Sequence, residues 1–164
     1  MLNITSKFDP FKGPELESVI HTTKSQSEIW TACYLGTEDA ARSFNLSVSI
    51  ELNGLLDSIA LERSIQSLIQ RHEALRATFS TDGAYMSIYK QITLDITKID
   101  LSKEAEITKK HALDIYIKEN AHFLFDLVQG PLIKISLVKL SESNHIFKKF
   151  KYILMLFFSC PVKP

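Results

Sequence analysis

The sequence Arg71-His72-Glu73-Ala74-Leu75-Arg76-Ala77-Thr78-Phe79 joins a helical pattern on its N-terminal side to a strand-like pattern on its C-terminal side. In the preceding segment, residues at helical spacing form a single stripe, on Leu61, Ile65, Leu68, Ile69 and His72. The nine residues are therefore predicted to end a helix and to enter a strand. Leu75 and Phe79 are expected in the core, and Arg71 and Arg76 are expected to form local ion pairs.

Upstream of this junction, residues 46–53 alternate between apolar and polar side chains, which predicts a strand with one buried face. Asp57 is suited to cap the helix that follows it. A further helix is predicted over residues 25–35, and Gly36 should end it.

Downstream, the pattern predicts strand 77–80, strand 85–91, helix 103–122, strand 132–140 and a last strand within 146–160. The first two of these strands should meet at Asp82-Gly83, a favoured turn pair. Residues 1–20 hold three chain breakers and are predicted to be an irregular lead-in. Because helices and strands are interleaved, the fold class is predicted as α/β or α+β, built on a mixed sheet.

Composition is that of a globular protein, with 164 residues, 45% of them hydrophobic and 23% charged. The 19 basic and 19 acidic residues balance, so charge predicts neither nucleic acid nor an anionic membrane as a partner. Cys33 and Cys160 stand far apart and outside any CxxC pair, which argues against a disulfide framework or a zinc site. Since no secretion signal is visible and the apolar run at 152–158 is too short for a bilayer, a reducing, cytoplasmic setting is expected.

Common catalytic motifs are absent, because no GxGxxG, P-loop, GxSxG or HExxH sequence occurs. The histidines show no metal-ligand spacing and are expected at the surface or the edge of the core: His21, His72, His111, His122 and His145. Residue patterns alone thus indicate an α/β domain with no assigned metal.

The string RHEALRATF at residues 71–79 resembles the RHExLRxxF signature of nonribosomal peptide synthetase condensation domains at nearly every defining position. Residues 25–30, SQSEIW, resemble the family's opening SxAQxRLW motif, although Ser25 replaces the usual Ala and Glu28 the usual Arg. Residues 125–132 are similar to the family's FDLxxGPL segment. The positions assigned to these motifs are Ser25, Gln26, Trp30, Arg71, His72, Glu73, Leu75, Arg76, Phe79, Phe125, Asp126, Gly130 and Pro131.

This resemblance implies a chloramphenicol acetyltransferase-like fold of two lobes with a tunnel between them, of which this chain would form part of the N-terminal lobe. Carrier proteins would dock at the tunnel mouths and deliver thioesters on phosphopantetheine arms, with no cofactor bound to this chain directly. An amine would then attack a thioester carbonyl to form an amide. In the family's HHxxxDG motif, the second His positions the amine or takes its proton. The lead-in FDPF at residues 8–11 resembles condensation domains of cyanobacterial synthetases.

Counting forward from His145 gives four positions where the HHxxxDG residues are expected, Tyr152, Ile153, Phe157 and Phe158. None of these side chains can perform the chemistry of that motif, so no catalytic residue is assigned. Over residues 148–151, three lysines enter an apolar strand, which carries a high desolvation cost. The resulting hypothesis is a frameshift or small deletion near codon 148.

The chain is accordingly divided into a lead-in at 1–20, the N-terminal part of a condensation domain at 21–147 and a divergent tail at 148–164. The leading hypothesis is a fragment that is inactive alone, because HHxxxDG is missing, and that exposes sheet edges and apolar surface. A second hypothesis is a small non-catalytic module that docks a carrier protein or a partner synthetase. A third, an intact enzyme from another branch of the same superfamily, is disfavoured because those branches share the missing His.

Overall fold

The computed structural model describes residues 14–152 of the chain. The helices are α1 (Lys24–Leu35), α2 (Glu38–Arg42), α3 (Ser58–Arg71) and α4 (Glu106–Ala121). The strands are β1 (Leu16–His21), β2 (Asn45–Asn53), β3 (Ala77–Phe79), β4 (Tyr85–Tyr89), β5 (Ile96–Asp100), β6 (Ile133–Ser141) and β7 (Asn144–Tyr152). A short 3₁₀ turn, Glu73–Arg76, connects α3 to β3.

The strands form two sheets. The first sheet has the order β1-β4-β3 and is antiparallel, and the second has the order β2-β7-β6-β5. In the second sheet β5 and β6 run parallel while the other pairs are antiparallel. The predicted class, a mixed α/β fold on a mixed sheet, is confirmed.

Capping explains where two of the helices begin or end. Asp57 precedes α3, and its Oδ1 accepts a hydrogen bond from the N–H of Ala60 at 2.9 Å, as predicted for an N-cap. Gly36 ends α1, also as predicted, and its N–H donates to the carbonyl of Ala32 at 3.0 Å. No helix within residues 14–152 is long and apolar enough to cross a membrane.

Two strands depart from the sequence-based prediction. Residues 16–20, predicted as irregular, belong to β1, which pairs with β4 at the edge of the first sheet. Strand β5 was not predicted at all and pairs in parallel with β6. Neither segment alternates cleanly between apolar and polar residues, so each is a strand because of its long-range pairing and not because of its own pattern.

Strand β7 continues without interruption through the lysine-rich segment 148–151, and it overlaps the stretch 146–160 in which a last strand was predicted. It pairs with β2 in one unbroken register from Asn144 to Tyr152. Lys148 is buried, whereas Lys149 and Lys151 are half-buried. Long aliphatic stems allow lysines to occupy such positions while their ammonium groups reach aromatic rings or solvent.

Two hydrophobic clusters form the core. The first cluster consists of Trp30, Ala77, Phe79, Met86, Ile88 and Leu132. The second cluster consists of Ile65, Ile69, Leu75, Leu94, Ile133 and Ile135. Leu75 and Phe79, expected in the core, are both buried, but they belong to different clusters. The junction between α3 and β3 therefore contributes to both.

Candidate functional site

Arg76 is a buried charged residue with 4% of its surface exposed. Its Nε donates to the carbonyl of Ile69, near the end of α3, at 3.2 Å. Its Nη1 donates to Glu17 Oε2 of β1 at 2.8 Å and to the carbonyls of Tyr89 and Lys90. One guanidinium group thus joins α3, β1 and the end of β4.

The expectation of local ion pairs in this segment is wrong for both arginines. The partner of Arg76, Glu17, lies 59 positions away in the sequence. Arg71 is exposed and forms no ion pair within residues 14–152. The long-range pair requires β1, and β1 lies in the segment predicted to be irregular.

His72 shapes the junction through its backbone. Its N–H donates to the carbonyl of Leu68 at 3.1 Å and ends α3, while its carbonyl accepts from the N–H of Leu75 at 2.9 Å. The His72 side chain is exposed, and Glu73 begins the 3₁₀ turn with a half-buried side chain. This arrangement positions the strand that follows and offers no enclosed environment for proton transfer by His72.

The motif at residues 25–30 lies on α1, where Gln26 and Trp30 occupy the buried side. The side chain of Gln26 accepts from the N–H of Thr23 at 2.8 Å, and Thr23 Oγ1 accepts from the N–H of Gln26 at 3.3 Å. This reciprocal pair is a capping box that starts the helix. Trp30 packs in the first cluster and stacks on Tyr34 with ring centroids 4.8 Å apart, while Ser25 is exposed.

The motif at residues 125–132 forms a tight loop organised by Asp126. Its Oδ1 accepts from the N–H groups of Val128 and Gln129 at 2.9 and 2.8 Å, and its carbonyl accepts from the N–H of Gly130 at 2.9 Å. Gly130 has a φ of 62°, and a Cβ there would lie 2.7 Å from Thr78 Cγ2. Both the backbone angle and the close approach to β3 require glycine.

This loop is attached directly to β3. The N–H of Phe79 donates to the carbonyl of Leu127 at 2.7 Å. Phe125 packs against the first cluster and meets Phe123 edge to face, with ring centroids 4.9 Å apart. The peptide bond between Gly130 and Pro131 is cis. The three motif segments therefore converge around the first cluster.

An open cavity of about 550 Å³ lies between α1, α2 and residues 124–128. Its apolar and aromatic lining comes from Trp30, Cys33, Tyr34, Ala41, Leu124, Phe125, Leu127 and Val128. Thr37, Glu38 and Thr81 add a few polar groups. A cavity with this volume and lining can accommodate an apolar group and offers few polar atoms for orienting it.

The end of β7 is where the first His of HHxxxDG is expected. Tyr152, the last described residue, is paired with Asn45 of β2. Asn45 Nδ2 donates to the carbonyl of Phe123 at 2.7 Å, and its Oδ1 is buried with no hydrogen-bond partner within the described ranges. The other expected positions lie outside the described residues: Ile153, Phe157 and Phe158.

Two lysines of β7, Lys148 and Lys151, lie in surroundings that lower the pKa of their ammonium groups. Desolvation lowers the pKa of Lys148, whose Nζ lies 5.6 Å from the ring centroid of Phe150 and 5.9 Å from that of Tyr116. Desolvation also lowers the pKa of Lys151, and the positive charge of Lys149 adds to that effect. Burial disfavours the charged form because the apolar interior solvates an ammonium group poorly.

No metal centre is formed by the part of the chain that the structure describes. Within residues 14–152, no group of three or more His, Cys, Asp or Glu side chains could hold an ion. His145 is buried, and His21 lies against the ring of Tyr85 with centroids 4.5 Å apart.

Two contacts around these motifs had no signal in the sequence. Glu17 pairs with Arg76 from a segment predicted to be irregular. Gly83, at the predicted turn, lies so close to Trp30 that a Cβ would be 2.3 Å from its ring. The turn itself could be predicted from Asp82-Gly83, but its packing partner is 53 positions away in the sequence and could not.

Comparison with known proteins identifies related sequences. A family model described as Condensation domain matches residues 17–148. Chondramide synthase cmdD from Chondromyces crocatus is 32% identical over 130 residues, which are 78% of this chain and 3% of that protein. A linear gramicidin synthase from Brevibacillus parabrevis is 38% identical over 106 residues, 63% of this chain and 2% of that protein. This chain thus spans a very small part of the curated relatives it matches.

Solved structures resemble this chain in fold. The starter condensation domain of rhizomide synthetase RzmA has a TM-score of 0.73 and 19% identity, covering 84% of this chain and 34% of that one. The EpoB cyclization-docking bidomain from Sorangium cellulosum has a TM-score of 0.73 and 20% identity, covering 87% of this chain and 28% of that one. The matched architecture is therefore only a part of each of those larger chains.

Proposed function

This chain belongs to the condensation-domain family, and on that premise we propose that it forms part of the N-terminal lobe of a nonribosomal peptide synthetase condensation domain. The complete domain would form an amide bond between substrates held as thioesters on carrier proteins. In this role residues 14–152 build and brace the lobe. The observation that carries the proposal is the buried Arg76 network, which lies inside a segment that the family model matches.

We propose that this chain does not catalyse the reaction by itself. HHxxxDG does not occur in its 164 residues. The side chains at the expected positions are Tyr, Ile, Phe and Phe, none of which is suited to take a proton from an amine near neutral pH. The groups that align an amine with a thioester carbonyl would then come from sequence outside this chain.

The proposed partners are carrier proteins and neighbouring synthetase modules. Phosphopantetheine would stay attached to the carrier proteins and present the thioesters. A two-lobed, chloramphenicol acetyltransferase-like parent fold, a cyanobacterial type and a cytoplasmic setting belong to the same proposal. The lead-in at residues 8–11 supports the cyanobacterial type, and the two widely separated cysteines are in keeping with a reducing compartment.

A chimera tests the structural role. Residues 17–148 would replace the matching segment in a condensation domain of the Brevibacillus linear gramicidin synthase, which would keep its own sequence, including HHxxxDG, from the position that matches Lys149 onward. We expect this chimera to form an amide between two carrier-bound aminoacyl thioesters, while the present chain alone forms none. Amide formation by the chain alone, or a folded chimera without activity, would contradict the proposal.

The matched variants of this chimera are Arg76→Met and Arg71→Met. The buried Arg76 network should be required for an active, folded chimera, whereas the exposed Arg71 should not.

Translating the DNA from the codon of Leu140 onward in all three frames separates the frameshift hypothesis from its alternative. HHxxxDG in a shifted frame supports the frameshift, and its absence favours a small interaction module, for which saturable carrier-protein binding is the next measurement.

A further inference from the structure

The second sheet has a long edge at β2. This strand of nine residues pairs with β7 on one side, and no strand within residues 14–152 pairs with its other side. Seven of its nine residues are exposed, and they lie on both faces of the sheet. Apolar side chains are among them, since Leu46, Val48 and Ile50 are 37%, 40% and 46% exposed.

The pairing with β7 shows which backbone groups point to the open edge. The N–H of Gly54 donates to the carbonyl of Ser143 at 2.7 Å, and this bond continues the register in which Asn53 opposes Asn144. Because hydrogen-bonded and non-hydrogen-bonded pairs alternate in an antiparallel ladder, the even-numbered residues of β2 bond to β7. The odd-numbered residues direct their N–H and C=O groups to the open edge: Asn45, Ser47, Ser49, Glu51 and Asn53.

The strand is complementary to itself when it is turned around Ser49. Its sequence is NLSVSIELN, so an antiparallel copy centred on Ser49 overlaps all nine residues. Leu46 then opposes the second copy's Leu52, and Val48 opposes the second copy's Ile50. On the other face, Ser47 opposes the second copy's Glu51, and no two like charges meet directly.

The usual protection of an edge strand is missing from β2. It contains no Pro and no Lys, and its register with β7 has no bulge. The other edge strands offer less, because β1 has six residues and a register shift, β5 has five residues and β3 has three. A long edge strand without Pro, Lys or a bulge is a template for pairing with another strand.

We propose that the open edge of β2 is a homodimer interface, in which β2 of a second copy pairs antiparallel around Ser49. The two four-stranded sheets then become one eight-stranded sheet. Five outward-facing residues on each strand form about ten main-chain hydrogen bonds, about the number found in a typical protein interface. The apolar side chains of both copies align on one face and cover each other across the new strand pair.

Ser47 provides a matched pair of substitutions that tests both the interface and its register. The dimer should be visible for the full chain in solution as a mass of twice 18.6 kDa by sedimentation equilibrium. Ser47→Lys places two ammonium groups opposite the Glu51 carboxylates of the other copy, and Ser47→Glu places carboxylates there instead. We expect the dissociation constant of the dimer to fall about threefold to tenfold in Ser47→Lys and to rise by a similar factor in Ser47→Glu.

Within the chain, Ser47 is paired with Phe150, Glu51 accepts a hydrogen bond from Asn144, and Lys148 is paired with Ser49 on the same face, so the free energy of unfolding of each variant is measured beside its dissociation. Ser49→Pro is an independent variant, because it removes an N–H that bonds to the second copy and not to β7. It should weaken the dimer at least tenfold while far-UV circular dichroism stays unchanged. A chain that stays monomeric at about 200 μM, or Ser47 variants that both shift dissociation in the same direction, would overturn the proposal.

Discussion

The single residue Arg76 connects parts of the chain that are distant in sequence. Its guanidinium bonds to Glu17 and to three carbonyl groups of α3 and the β4 end. Arg76→Met would leave those acceptors and a partly buried carboxylate without their donor. We expect a loss of about 3–5 kcal/mol in the free energy of unfolding, measured by urea denaturation.

The matched control is Arg71→Met, which makes the same change five residues away in the same motif. Arg71 is exposed, so its replacement should change the free energy of unfolding by no more than about 0.5 kcal/mol. Equal effects of the two variants would show that charge in this segment matters and that the buried network does not.

Lys148 leads to a prediction about pH. Desolvation lowers its pKa below the ordinary value of 10.5, so the folded state releases this proton at a lower pH than the unfolded chain does. Between those two pKa values the unfolded chain holds more protons, and folding stability therefore rises as the pH rises. Lys148→Met removes this dependence and should stabilise the protein by about 1 kcal/mol at neutral pH.

The measurement is the difference in free energy of unfolding between the wild type and Lys148→Met, taken at several alkaline pH values. The difference should shrink as the pH rises from the lowered pKa of the folded state through 10.5, because above 10.5 the wild-type amine is neutral in both states. Lys110→Met removes a lysine at an exposed position on α4, serves as the control and should change the free energy of unfolding by no more than about 0.5 kcal/mol. A pH-independent difference for Lys148→Met would contradict the prediction.

At the scale of secondary-structure elements, the turn between β3 and β4 is pressed against α1. Gly83 has a φ of 69°, and a Cβ there would lie 2.3 Å from the ring of Trp30. Gly83→Ala should therefore cost about 2 kcal/mol or more and displace the indole ring. Because Trp30 is the one tryptophan in the sequence, its fluorescence spectrum reports that displacement directly.

Gly54→Ala separates backbone strain from packing. Gly54 also has a positive φ, 122°, but a Cβ there would meet no heavy atom within 4 Å. Gly54→Ala should lower stability and leave the folded-state emission of Trp30 unchanged. If both variants shift the emission, the contact between the turn and α1 is not its cause.

The elements that could be predicted from sequence are those whose signal is local. The alternation in β2, the Asp57 cap and the Asp82-Gly83 turn each depend on a few adjacent residues. Strands β1 and β5 depend on partners far along the chain, so their own residues gave no such signal. For the candidate site, the motif segments could be found from sequence, but the Glu17 partner of Arg76 required the fold.

At the scale of the whole molecule, two short segments connect the two hydrophobic clusters. Leu75 belongs to the second cluster, while Phe79, four residues later, belongs to the first. Leu132 and Ile133 are adjacent in sequence and likewise divide between the two clusters. Neither cluster can unfold without disturbing a segment that the other needs, so we expect a single cooperative transition.

Leu75→Ala tests this coupling, because it damages the second cluster while Trp30 reports on the first. The lost side chain is 7% exposed, and its removal should cost about 2–5 kcal/mol. At one fixed protein concentration, the urea midpoints from Trp30 fluorescence and from far-UV circular dichroism should fall together. Leu55→Ala, at a residue that is 91% exposed, should move neither midpoint by a comparable amount. If Leu75→Ala lowers the circular dichroism midpoint and leaves the Trp30 midpoint in place, the clusters unfold separately. The Arg76 network would then join two independent units instead of bracing one.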